Sequence, residues 1–187
     1  MSTATPVVPR RASLTTFTAL RAAVVAVLAV VVTFSADHTP AFGLAVFGTF
    51  AVVQGALIAA GARGFAASRI GRLLVLLRGA LLVVVGALSL ALVGGATLGG
   101  LLAVEIAGFL GAGALEVLSG LRRADASPVS RDLVTVGGLE LLVGVMLAIL
   151  LPDSIFAVGV LSAWGAVVAV YLGIAAVSIA RRTGDAP

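Results

Sequence analysis

The chain has no cysteine and no lysine, and only one histidine, one tryptophan and one tyrosine. Disulfides and thiolate metal sites are therefore excluded. Catalytic groups are just as sparse. No Ser/His/Asp arrangement, no P-loop and no glycine-rich turn between a strand and a helix can be traced. Charge is scarce too: 11% of the 187 residues are charged and 61% are hydrophobic, with a mean hydropathy of +1.24. A soluble domain of this length does not carry so few charges over so much apolar sequence. The natural solvent is a bilayer, which a helix crosses with about 20 apolar residues.

What is present is a set of six apolar runs, at about 17–36, 41–60, 73–93, 99–120, 132–151 and 155–180. They do not alternate as barrel strands do, and backbone groups cannot stay unpaired in lipid. The expected fold is all-α: a polytopic membrane protein of six transmembrane helices. Residues 1–16 are polar and proline-containing and are read as a disordered cytoplasmic tail, with a second short tail at 183–187. Arg10 and Arg11 before an apolar run resemble the start of a signal peptide. Phe34, however, stands where a cleavage site before Ala36 needs a small residue, so the first run is expected to be retained.

Twelve arginines carry the basic charge: 10, 11, 21, 63, 69, 72, 78, 122, 123, 131, 181 and 182. All lie in the tails, in the two long connections, or in the adjoining ends of the spans. None lies in the three short turns. The positive-inside bias predicts cytoplasmic termini and places Asp37, His38 and Asp153 outside. The net charge of +4 is thus a topology signal and not a nucleic-acid footprint. Membrane lipids are the expected partners, with anionic headgroups at the arginine rim.

Small residues recur every fourth position at Gly99, Ala103, Ala107 and Gly111, at Ala51, Gly55 and Ala59, and at Gly165, Ala169 and Gly173. Such faces let helices approach closely, within the chain or between copies as a homo-oligomer. A repeat also runs through the chain. Arg78-Gly79, Gly86 and the Gly94-Gly95 turn overlie Val136-Gly137, Gly144 and Pro152-Asp153 at a shift of 58, and Arg21-Ala22 opens a first unit at a shift of 57. The predicted arrangement is three pseudo-repeated helical hairpins. Arg78, Gly79, Gly86, Gly137, Gly144, Pro152 and Gly173, set in paired apolar helices over most of residues 20–182, give the chain a pattern that resembles the HdeD family of small bacterial membrane proteins. The resemblance implies a plasma-membrane protein linked to acid or envelope stress.

Four charged residues fall inside the spans. Glu105 and Glu116 are eleven positions apart and share a helix face. Glu140 lies in the fifth span and Arg78 in the third. An intramembrane charge costs roughly 2.5–3.5 kcal/mol on insertion scales and normally faces the bundle interior with a partner. Arg78 is expected to pair with Glu116, Glu140 or both, unless Arg78 and Glu116 extend to the headgroups. No arginine lies at the depth of Glu105. It is expected either to be protonated or to bond Gln54, Ser89 or Thr97, and it is the leading candidate for a proton-sensitive group. Asp37 and His38 form a candidate pH-sensitive external turn, but two such groups do not make a metal site. No cofactor is implied. Trp164 is expected in the core. The function these features predict is non-enzymatic and membrane-integral; the alternative is a small proton- or cation-coupled transporter or channel using Glu105 and Glu140.

Overall fold

A computed structural model describes residues 11–65, 68–122, 130–151 and 153–184. Side chains are described for these except residues 11–13, 63–65 and 182–184. Six α-helices account for nearly all of them: α1 (Arg11–Phe34), α2 (Pro40–Phe65), α3 (Arg69–Ala91), α4 (Leu98–Leu121), α5 (Ser130–Leu150) and α6 (Ser154–Gly184). Each is long and apolar enough to cross a membrane. The chain is a six-helix polytopic bundle. Large apolar side chains point outward along its length, among them Val27, Val84, Ile149 and Ile174. In lipid such a surface is solvated, not exposed.

The helices overrun the apolar runs at several ends. α1 begins at Arg11, α3 at Arg69, and α6 continues to Gly184. Apolarity marks the hydrocarbon layer, whereas helical hydrogen bonding continues through the polar interface. The expected disordered tail is therefore helical from residue 11, while residues 1–10 lie outside the described residues. α3 ends at Ala91, and Val93–Gly95 form a short 3-10 turn. The Pro152 part of the outer turn and residues 185–187 of the final tail are likewise outside the described residues.

Local chemistry sets the starts on the short-turn side. The Gly100 amide donates to Thr97 Oγ1 at 3.0 Å before α4, and the Phe42 amide to Thr39 Oγ1 at 3.3 Å at the start of α2. The Phe156 amide donates to Asp153 Oδ1 at 2.8 Å before α6. Each cap satisfies an amide that the helix cannot.

The closest packing does not follow the short turns. α2 lies along α3, α4 along α5, and α1 along α6, while α1–α2 and α5–α6 touch much less. The expected hairpins are adjacent in sequence, but the intimate pairs are those across the long connections, closed by the first and last helices. Glycine explains two of them. A side-chain carbon at Gly55 would lie 2.6 Å from the Gly79 carbonyl oxygen, and one at Gly113 would lie 2.8 Å from that of Gly137. Neither backbone crossing tolerates a Cβ. α1 and α6 are joined by Gly165 against Ala29, by a Thr33–Ser162 hydroxyl bond and by Ser162 Oγ donating to the Ala29 carbonyl.

The small-residue faces consequently divide. Ala51 and Gly55 are buried on α2 and Gly165 on α6. On α4, Gly99, Ala103 and Ala107 face outward, and a Cβ at Gly99 would meet nothing within 4 Å. The acid-bearing face of α4, not its smooth face, turns toward the bundle interior.

Candidate functional site

Four helices each place one charged side chain at a common interior point. Arg21 (α1) donates through Nη2 to Glu116 Oε1 (α4) at 2.8 Å. Arg78 (α3) reaches Glu116 Oε2 at 2.6 Å and Glu140 Oε1 (α5) at 2.8 Å, both through Nη2. All four side chains are at most 7% exposed. Two cations and two anions cancel, so the cluster is neutral as a whole. Buried pairs of this kind recover their desolvation cost only when the geometry is good and further hydrogen bonds are made. The position follows from the helix crossings: a Cβ at Gly113 would lie 2.9 Å from Glu140 Cβ, and one at Gly137 would lie 3.0 Å from Glu116 Cβ. Close glycine contact brings the two acids side by side.

Arg78 thus meets both acids that the sequence offered it. Arg21 was the omission. Its place near the start of the first span reads as an interfacial topology charge, yet it is only 4% exposed. One signal was available: the repeat register lays Arg21-Ala22 over Arg78-Gly79.

Glu105 stands apart. It is 0% exposed, and both of its carboxylate oxygens lack a hydrogen-bond partner. The three suggested partners are engaged or placed elsewhere. Ser89 Oγ donates to the Leu44 carbonyl at 2.8 Å, and Thr97 caps α4. Gln54 lines a small cavity together with Glu140 and Trp164. Between the two polar levels lies an aromatic layer. Phe109 is tilted against Phe47 at 6.0 Å between centroids and meets the Trp164 edge at 5.1 Å; Trp164 also meets Phe50 at 5.6 Å. Phe109 is four residues past Glu105 and seven before Glu116, so about 6 Å of helix rise separates it from the first level and about 10 Å from the second.

Two interior cavities are water-sized. One, with about 20 Å³ of room for a water's centre, adjoins Arg21, Arg78, Glu116 and Ser119. The other, of about 10 Å³, adjoins Gln54, Glu140 and Trp164. A wider recess of about 580 Å³ opens between α1 and α2 and is lined by aliphatic and aromatic side chains and Thr49, whose hydroxyl donates to the Ala45 carbonyl.

At the short-turn end, Asp37 is exposed and accepts the Thr39 amide at 2.8 Å. That backbone hydrogen bond, aided by the Thr39 hydroxyl and His38, holds the Asp37 carboxyl below its ordinary range. His38 Nδ1 lies 3.5 Å from the Ala36 carbonyl. Among the described residues no three His, Asp or Glu side chains converge as a metal site. At the opposite end Tyr171 donates to Asp132 Oδ1 at 2.9 Å, tying α6 to α5.

Comparison with protein-family models, curated proteins and solved structures finds no match to this chain.

Proposed function

We propose that this chain is a non-enzymatic integral protein of a bacterial plasma membrane, with both termini cytoplasmic, acting in acid or envelope stress as the resemblance to the HdeD family implies. The observation that supports a non-enzymatic role is the closure of the ion cluster. Its four charged groups neutralise one another across four helices around a cavity of only about 20 Å³. The exposed Arg69, Arg131 and Arg181 sit at the end carrying the termini, where they would meet anionic headgroups. The outward Gly99, Ala103 and Ala107 face would serve contact between copies.

Two experiments test this reading. A bacterium deleted for the chain should survive an acid shift less well, and recover when the chain is restored; equal survival removes the stress role. Because the chain has no cysteine, a single cysteine at Ala124 reports sidedness. It should resist an impermeant thiol reagent in intact cells, and labelling there reverses the topology.

One observation favours a second reading, a proton- or cation-coupled transporter: Glu105 is buried with neither oxygen bonded. Intramembrane acids mark ion and proton paths in transporters. Proteoliposomes of the parent protein should then show a pH-dependent flux that Glu105→Gln abolishes. No flux from the parent rejects transport.

A further inference from the structure

Three buried polar atoms without a partner belong to residues around one cavity. They are Gln54 Oε1 on α2, Glu140 Oε2 on α5 and Trp164 Nε1 on α6. Their residues are 3%, 5% and 6% exposed. The remaining wall is apolar and includes Phe50, Leu82, Phe109 and Ala112. The room for a water's centre, about 10 Å³, is about one probe sphere, and a buried water needs two to four polar partners.

The chemistry of the three atoms restricts the occupant. The indole N–H only donates; the amide and carboxylate oxygens only accept. The occupant must accept one hydrogen bond and donate two. A metal cation finds two oxygens here, far short of the six to eight that calcium takes, and faces the positive end of an N–H. Ammonium has no acceptor for the indole hydrogen. An anion would meet two oxygens that repel it. A larger organic molecule does not fit the space. Water alone has the required one acceptance and two donations in that volume.

We propose that one ordered water occupies this cavity, accepting from Trp164 and donating to Gln54 and Glu140. The consequence extends beyond the three residues. Glu140 bonds Arg78, Arg78 contacts Glu116, and Glu116 bonds Arg21. These four residues lie on α5, α3, α4 and α1. Gln54 and Trp164 add α2 and α6. A single water therefore joins all six helices in one polar network. It also gives Glu140 a partner on each oxygen, which the arginine alone does not.

Trp164 is the chain's only tryptophan, so one indole resonance reads the site. In detergent micelles, full-length protein labelled with ¹⁵N-tryptophan should show a cross-peak from the indole hydrogen to water with the sign of a long-lived dipolar contact. Gln54→Leu removes one of the water's two acceptors and should weaken the cross-peak. Ala112→Val narrows the cavity without touching a polar partner and should abolish it. No such cross-peak in the parent protein overturns the proposal. A cross-peak that persists unchanged in either folded variant overturns it too, because the water would then lie elsewhere.

Discussion

Helix α4 carries two buried acids whose surroundings differ in kind. Glu116 is 1% exposed and contacts two arginines. Glu105, about 16 Å away along the same helix, is 0% exposed and contacts no cation or hydrogen-bond donor among the described residues. The first acid ties α1, α3 and α5 to α4, directly or through Arg78. The second ties nothing. Burial alone therefore does not tell whether an intramembrane charge holds a fold together. Its partners do, and the helix rise between the two acids keeps the partners of one from serving the other.

The sharpest way to break this contrast is Glu116→Leu. It strands Arg21 and leaves Arg78 with one acid, and uncompensated buried charge costs about 3–5 kcal/mol. The thermal midpoint in detergent should fall steeply; a change no larger than that of a surface substitution would dissolve the contrast. Next comes Arg21→Leu, which leaves Glu116 still held by Arg78 at 2.6 Å. The expected loss is smaller than that of Glu116→Leu but above the roughly 1–3 kcal/mol of an unpaired neutral acceptor, because Glu116 is charged. Denaturation of the single variants and of the Arg21→Leu/Glu116→Gln pair should show strong non-additivity, and additive effects would mean the two side chains act apart. Glu105→Leu should go the other way, neutral or stabilising, because an apolar side chain replaces an unpaired polar one. A midpoint drop matching that of Glu116→Leu would reveal a hidden partner. The smallest effect belongs to Asp37. Its carboxylate is favoured in the folded turn, so its contribution is present above the ordinary carboxylate value of 3.8 and is lost as pH falls through the lowered one. The Thr39 amide shift should titrate below pH 3.8 in the parent and stay flat in Asp37→Ala. Titration above that value contradicts the geometry.

Much of the architecture was legible because lipid makes it so. Six runs without strict alternation leave helices as the only solution, and the scarcity of interior charge made Arg78, Glu116 and Glu140 conspicuous. Helix pairing was not legible. The row of small residues at every fourth position lies on the outward face of α4, and sequence does not tell that Gly113 meets Gly137 while Gly99 meets nothing. Which face turns inward depends on all the neighbours at once. Arg21 escaped for a related reason. Hydropathy sees an arginine near the start of a run as interfacial, but Arg21 lies seven residues into the apolar span Leu14–Phe34, about 10 Å of helix rise. The Trp164 ring was legible as core; its unpaired N–H depends on what Gln54 and Glu140 face.

The pairing of the first helix with the last has a consequence in time. Arg21 meets Glu116 across 95 residues of chain, and α1 finds its main packing partner only in α6. At synthesis rates of roughly 5–20 residues per second, Arg21 emerges about 5–20 seconds before the acid that will neutralise it. During that interval the first helix has neither its ion partner nor its closest neighbour. It must wait near the interface or in the insertion machinery, and the bundle closes only when the final span arrives.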